Sequence, residues 1–317
     1  MHLAPVAMHI PDGFLSVAVS LVFWVLAVLM IILALRQVNR QLGEREVPLM
    51  GVLAATIFAG QMLNFTVIGG TSGHLLGAAL ATILIGPWAA VLVMTCVVGV
   101  QALIFQDGGL LALGANLFNM AVIGVAVSYA INRLFRRILG EGKTGIFVSG
   151  FAAAWTSIFI ASLAAALQLA LSGTTPANLA VPAMAGIHAL IGIGEGLITL
   201  GALAFLYATR RDLLHIGEPQ PRGNTAVWVG GAVIFLALAA LSPLASTSPD
   251  GLESVAEELG FIQKAQNPGF TIIPDYVLPG VNHEALATIL AGIVGSLVVL
   301  AAVLLIARFR RARAKTS

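Results

Sequence analysis

The chain has little charge, a single cysteine and none of the common sequence motifs of catalysis. Of its 317 residues only 9% are charged, whereas about a quarter of the residues of a soluble domain are charged. The lone Cys96 excludes an intrachain disulfide framework and a cysteine-based zinc site. No His-Glu-x-x-His, Gly-x-x-x-x-Gly-Lys or catalytic-triad pattern occurs. We therefore expect neither ATP hydrolysis nor another enzymatic activity from this chain.

Hydrophobic residues make up 59% of the chain and form long uncharged runs between short charged stretches. This pattern predicts an all-α, polytopic bundle of transmembrane helices, because helices satisfy their own backbone polar groups in a bilayer. The run 74–105 is too long for one span and contains Gly86-Pro87, so we divide it there into two spans. The other seven spans are expected near residues 15–35, 48–68, 110–131, 146–171, 185–207, 226–241 and 285–307.

The basic residues between these runs predict how the chain is oriented. With nine spans and an external N-terminus, the clusters of Lys and Arg all fall in the cytoplasm, as the positive-inside rule requires. Only Lys264 then lies outside. Treating 74–105 as one span would place the cluster around Arg133 outside, which is a second reason to divide it. We therefore predict an external N-terminus and a cytoplasmic C-terminus.

The motif Met8-His9-Ile10-Pro11-Asp12-Gly13 stands directly before the first apolar run. If Met8 carries a free α-amine, that amine, the His9 backbone nitrogen and the His9 imidazole can close two fused chelate rings on one metal ion. Tetragonal nitrogen sites favour Cu(II) or Ni(II). The alternative is a histidine near a chain end with no metal role. Pro11 stiffens the strand, and Asp12-Gly13 indicates a turn; Asp12 either makes that turn or orients an imidazole.

His74 is the candidate for a fourth nitrogen donor, because it follows Gly70-Thr71-Ser72-Gly73 on the predicted external face. Its alternative role is to cap the start of a helix. Further polar residues lie in or near predicted spans, where they serve either interhelical packing or the metal site and its pathway. These candidates are Ser72, Gln61, Asn64, Asn116, Asn119, His188 and Glu195.

The external segment 242–282 contains Pro249-Asp250-Gly251-Leu252-Glu253. Apolar residues at helical spacing follow, which predicts a short amphipathic helix on the outer surface. We expect an extended piece through Pro274-Asp275-Tyr276 after it. The segment is either a solvated loop or an acidic cap that helps to bring cations to the site.

Together these motifs resemble the metal-binding membrane subunit of energy-coupling-factor nickel and cobalt transporters, the CbiM/NikM family. The resemblance rests on Met8-His9-Ile10-Pro11-Asp12-Gly13-Phe14, on Gly70-Thr71-Ser72-Gly73-His74 and on shorter runs, and it covers about residues 8–210. The shorter runs are Gly86-Pro87-Trp88, Gln101-Ala102-Leu103 and Leu113-Gly114-Ala115-Asn116. From about residue 226 the chain resembles the small PDGLE-type partner subunit, the CbiN/NikN-like protein, fused here.

The resemblance implies seven spans in the first part and a square-planar metal held by Met8, His9 and His74. It implies Ni(II) or Co(II) as transported substrate, with no organic cofactor. It also implies separate partners, namely a transmembrane coupling (T) subunit and cytoplasmic ATPase subunits, in the cell membrane of a prokaryote. The small residues Ala55 and Ala59 are candidates for packing against the coupling subunit. The Ile-Pro-Asp-Gly form favours the nickel branch.

We accordingly expect a metal-binding unit at 8–212, a cytoplasmic linker at 213–225 and a two-span unit at 226–310. The leading hypothesis is a metal-uptake subunit that captures its ion outside and passes it inward. A membrane metal sensor or scaffold using the same site is the alternative, and an intramembrane metalloenzyme is a third. Because residues 1–7 precede Met8, the amine donor requires that translation starts at Met8 or that these residues are removed.

Overall fold

The computed structural model describes residues 8–38, 46–214, 224–266 and 269–314. Predictions for Arg40, Arg45 and Lys315, for residues 1–7 and for most of the linker 213–225 lie outside these ranges. The helices are α1 (Val17–Val38), α2 (Glu46–Gln61), α3 (Ala78–Ile104), α4 (Leu113–Leu117), α5 (Gly124–Leu139), α6 (Lys143–Leu171), α7 (Ala177–Thr209), α8 (Asn224–Leu241), α9 (Gly251–Glu258) and α10 (Glu284–Ala314). Two strands, β1 (Phe65–Val67) and β2 (Thr71–Gly73), pair antiparallel.

The described helices have the length and composition of membrane spans. Seven helical segments are long and apolar enough to cross a bilayer, counting α4 to α5 as one through the π-helical turn Phe118–Ile123, and α2 is a shorter apolar helix. Helix α1 has a mean hydropathy of 3.0 and exposes Val17, Leu21 and Val25. A helix that is hydrophobic on its exposed face as well as inside faces lipid. The predicted all-α, multi-pass membrane fold is confirmed.

Helix α3 folds back on itself at Gly86, as the sequence predicted. Gly86 has φ 75° and ψ 166°, a backbone conformation available to glycine, and Pro87 begins the second limb. A straight helix of 27 residues would separate its ends by about 40 Å. Instead the Gln61 amide joins the residues before the first limb to the second limb, donating to Leu76 O at 2.8 Å and accepting from Gln101 Nε2 at 2.8 Å. The two limbs therefore begin and end on the same side of the bundle.

With α3 counted as two limbs, α4 and α5 as one and the short amphipathic α9 left aside, the described residues contain nine helical limbs in the order of the nine predicted spans. The second span, predicted at 48–68, was wrong in its last part. Helix α2 ends at Gln61, and Phe65–Val67 forms β1 of a hairpin that turns at Gly69-Gly70. The hairpin follows from two adjacent glycines with positive φ, which end the helical pattern early. Asn64 therefore lies in the loop between α2 and β1, outside any helix.

Helices α8 and α10 pack against α2. Ala55 and Ala59 are fully buried among residues that include Phe235 and Leu300. The prediction that these alanines face a separate coupling subunit was wrong, because helices of the same chain cover them. Close approach depends on small residues: a Cβ on Gly295 would lie 2.1 Å from Phe58 Cζ.

The external segment contains the predicted amphipathic helix. Helix α9 buries Leu252, Val255 and Ala256 and is capped by Asp250, whose carboxylate accepts from Glu253 N at 2.7 Å. The extended piece predicted further on was wrong, because Pro274–Tyr276 forms a 3₁₀ turn. Asp275 and Tyr276 both have positive φ there, which ends any extended run.

Candidate metal centre

Residues 8–14, called here the N-terminal segment, enter one end of the bundle without forming a helix or a paired strand. Both backbone polar groups of Ile10 are hydrogen-bonded. Its N–H donates to Asn116 Oδ1 at 3.1 Å. Its carbonyl accepts from Asn116 Nδ2 and from Gly109 N, each at 3.0 Å. Asn116 comes from α4. It therefore does for the segment what a neighbouring strand would do in a sheet.

Asp12 anchors the same segment through its carboxylate. Its two oxygens accept from Ala112 N at 2.9 Å and from Leu110 N at 3.0 Å. Its carbonyl accepts from Gln266 N at 2.8 Å. The approach is so close that a Cβ on Gly109 would lie 2.0 Å from Asp12 Oδ1. Asp12 thus ties the segment to the turn before α4, rather than contacting an imidazole.

His9 is buried and faces Asp107 with two of its nitrogens. Its backbone nitrogen donates to Asp107 Oδ1 at 3.2 Å, and its Nδ1 lies 3.3 Å from the same oxygen and 3.3 Å from the Asp107 carbonyl. The backbone nitrogen and Nδ1 therefore lie on one side of His9, as a chelate through both would require. The third nitrogen, Nε2, is buried and has no hydrogen-bond partner among the described residues.

His74 reaches the same place from the hairpin. Its ring and that of His9 lie edge to face with centroids 5.6 Å apart. His74 Nδ1 lies 3.1 Å from Leu75 O. Burial, and next the nearby His9, lower the pKa of His74 to about 4, so its imidazole is neutral at physiological pH. Neutral imidazole is the form that binds metal ions.

Between these histidines lies a cavity of about 90 Å³. Its lining includes Met8, His9, His74, Asn116, Asn119 and His188. Leu252 of α9 also lines it. Within the described residues, no three side chains of His, Cys, Asp or Glu are grouped so that they could hold a metal. A metal site built on His9 and His74 would therefore need further donors of another kind, and the His9 backbone nitrogen is one candidate.

The other predicted candidates hold the scaffold. Glu195 accepts from Leu76 N at 2.7 Å and Gly77 N at 3.0 Å, which caps the start of α3. Asn119 and Gln168 exchange amide hydrogen bonds of 2.8 and 2.7 Å. His188 lines the cavity, and its Nδ1 lies 2.9 Å from Met184 O.

Ser72 and Asn64 bind the segment after α8. Ser72 Oγ donates to Ser248 O at 2.8 Å, and its N–H donates to Pro249 O at 2.8 Å. The Asn64 carbonyl accepts from Ser246 N at 2.8 Å. These contacts hold the hairpin against the external segment, outside the histidine pair.

Sequence reasoning missed Asp107 and Tyr276. Asp107 was not among the candidate residues, yet it is buried and contacts His9. Tyr276 donates its hydroxyl proton to Asp107 Oδ2 at 2.5 Å. One signal for Asp107 was available in the sequence. It is an acidic residue between two predicted spans, on the predicted membrane face that also carries His9 and His74. The Tyr276 contact had no signal, since the two residues are 169 positions apart.

Comparison with known proteins decides the family. The family model CbiM, described as "Cobalt uptake substrate-specific transmembrane region", matches residues 9–213. The chain belongs to the CbiM family. A second model, the PDGLE domain, matches residues 224–312. This CbiM-type chain is therefore a member of a metal-transporter family rather than an enzyme family, and a multi-pass protein of the cell membrane.

Relatives of this CbiM-type chain carry transport names. A "Putative fused nickel transport protein NikMN" of Archaeoglobus fulgidus is 36% identical over 313 residues, covering 96% of this chain and 99% of the relative. A "Cobalt transport protein CbiM" of Sorangium cellulosum is 33% identical over 212 residues, covering 65% and 94%. A crystal structure described as a truncated transition metal transporter is 36% identical with a TM-score of 0.57, covering 63% of this chain and 98% of that one.

Proposed function

We propose that this chain is the substrate-binding component of an energy-coupling-factor uptake system for Ni(II) or Co(II). It captures the ion at the external face and passes it inward when coupled to separate T and ATPase subunits. The observation that carries the proposal is the meeting of His9 and His74 at one cavity, with their ring centroids 5.6 Å apart.

The proposed ligands are the Met8 amine, the His9 backbone nitrogen and imidazole, and the His74 imidazole. The convergence of His9 N and Nδ1 on a single oxygen supports a chelate through both atoms. Nitrogen-only tetragonal sites suit Ni(II). The metal is the transported substrate, and the metal names of the relatives support nickel or cobalt.

The proposed organisation has a metal-binding unit at 8–212 and a two-span unit at 226–310, joined by the linker 213–225. The site faces outside, and the basic helix ends lie in the cytoplasm. This orientation follows from the positive-inside rule applied to nine limbs. The ATP that drives transport is hydrolysed by the partner subunits.

Replacing His74 by alanine tests the site. We expect His74→Ala to abolish retention of trace radiolabelled nickel by cells that also express the T and ATPase subunits. The matched control is His283→Ala, which removes an exposed histidine before α10 and leaves uptake unchanged. Unchanged nickel affinity of purified His74→Ala would refute the ligand role.

Uptake measured with and without the partner subunits separates a transporter from a sensor. A transporter accumulates nickel only when they are present, whereas a sensor binds the ion without accumulation. Competition of unlabelled cobalt with radiolabelled nickel then shows which of the two metals is taken up with the higher affinity. N-terminal sequencing of the purified protein tests the amine donor, because a retained Met1 in a nickel-binding protein would exclude Met8.

A further inference from the structure

Strained backbone is concentrated where the external segment meets the turn after α3. Among the described residues, the non-glycine residues with positive φ are Gln106 (58°), Asp275 (54°) and Tyr276 (57°). Such conformations persist when surrounding contacts over-determine them, and they cluster at functional sites. All three lie at or next to one contact, the hydrogen bond between Tyr276 and Asp107: Gln106 precedes Asp107, and Asp275 precedes Tyr276.

The loop that carries Tyr276 is docked by backbone and ring contacts. Ile273 N donates to Ile104 O at 2.9 Å. The Tyr276 ring stacks on Phe105 with centroids 4.8 Å apart and an interplanar angle of 16°. Both rings are buried. The stacked ring leaves the hydroxyl little freedom, and it donates to Asp107 Oδ2 at 2.5 Å.

Asp107 passes this restraint to His9. Its second oxygen, Oδ1, lies 3.2 Å from His9 N and 3.3 Å from His9 Nδ1. A chelate through these two atoms requires them to point the same way before the ion arrives. A carboxylate held at Oδ2 by Tyr276 can present Oδ1 to both nitrogens, whereas a carboxylate free to rotate cannot.

We infer that Tyr276 is a positioning residue for the metal site: by holding Asp107, it fixes His9 with both chelating nitrogens on one side. The C-terminal unit then contributes the Tyr276 hydroxyl to the support of the metal site, in addition to Leu252 in the cavity lining. The inference rests on the proposed function, since it assumes that His9 binds the ion. It assigns a role to a tyrosine that touches neither histidine.

The test is Tyr276→Phe in the full-length chain, which removes the hydroxyl and keeps the ring that stacks on Phe105. Outer partners of metal ligands typically change metal affinity by 10–100-fold, so we expect nickel to bind at least about 10-fold more weakly in equilibrium dialysis. The matched control is Tyr129→Phe. The Tyr129 hydroxyl accepts from Arg133 at an exposed site, and its loss should leave affinity unchanged.

Spectroscopy separates positioning from general support of the fold. With Cu(II) as the probe, we expect Tyr276→Phe to change the visible absorption and electron paramagnetic resonance spectra of the bound ion. Affinity within twofold of wild type with an unchanged spectrum would overturn the inference. The inference would also be overturned if Tyr276→Phe melted at a lower temperature while the spectrum of its bound Cu(II) stayed unchanged. That result would mean that Tyr276 stabilises the fold without positioning His9.

His74→Ala, measured in the same series, keeps the two proposals distinguishable. If His74→Ala loses nickel and Tyr276→Phe does not, only the role of Tyr276 fails. If His74→Ala retains nickel, the proposed site itself fails.

Discussion

The two histidines reach the cavity on segments that are held in different ways. The N-terminal segment depends on side chains and backbone groups far away in sequence, chiefly Asp107, Asn116 and the amides that bind Asp12. The hairpin of β1 and β2 pairs with itself and gains further contacts from the external segment, and Glu195 holds the backbone just after His74, at Leu76 N. The N-terminal segment has no paired strand to hold it when one contact is lost. A single substitution should therefore disturb it more than it disturbs the hairpin.

Among changes that leave the proposed ligands intact, the largest expected effect comes from Asp12→Ala. The change leaves Leu110 N and Ala112 N without their acceptor, and the N-terminal segment loses its tie to the turn before α4. Hydrogen bonds to charged groups contribute about 1.5–3 kcal/mol each, so nickel affinity should fall by more than about 10-fold. Equilibrium dialysis measures the effect.

Glu257→Ala, at an exposed position of α9, is the control for Asp12→Ala, and it should bind nickel normally. If Asp12→Ala bound nickel as tightly as wild type, the difference between the two segments would disappear.

The second effect concerns pH and the cap of α9 in the external segment. Burial raises the pKa of Asp250 from 3.8 to about 8. Between those values the folded state binds more protons than the unfolded state, so stability falls as pH rises through this window and levels off above about pH 8. We expect the melting temperature to drop by at least roughly 2–4 °C between pH 6 and pH 9.

Asp250→Asn removes this titration and keeps an N-cap acceptor, so the variant should show a smaller drop than wild type between the same pH values. Equal drops in the two proteins would show that Asp250 does not titrate in this window.

The smallest effect is expected from Ser72→Ala in the hairpin. The hydroxyl contact to Ser248 O is lost, but the Ser72 N–H still donates to Pro249 O. The loss should be about 0.5–1.5 kcal/mol of stability, seen as a small fall in melting temperature, with nickel affinity within about twofold of wild type. A larger loss of affinity than in Asp12→Ala would reverse the comparison.

Sequence reasoning predicted the helical bundle, the break at Gly86-Pro87 and the approach of His9 to His74. Each of these features has a local sequence pattern. The bundle shows as long apolar runs, the break as a glycine-proline pair, and the histidine site as histidines beside turn residues on one predicted membrane face. The order of the limbs followed from the same patterns together with charge.

The errors concern contacts between distant parts of the chain. Asp107 has the local context of any turn residue, and its importance comes from His9 and Tyr276. Ala55 and Ala59 form a small-residue surface, but such a surface does not encode which helix covers it. The β-hairpin was hidden because Phe65–Val67 is as apolar as the helix before it.

The reversal at Gly86 also has a consequence for membrane insertion. The first limb of α3, residues 78–85, is far shorter than the roughly 20 residues that cross a bilayer as an independent helix. It is therefore too short to span a bilayer alone, and we expect it to insert together with the second limb as one hairpin. Since a Cβ built on Gly86 would meet no atom within 4 Å beyond its chain neighbours and the backbone of its own helix, a side chain there would disturb the backbone turn rather than the packing. The damage would appear as failed insertion of newly made chains.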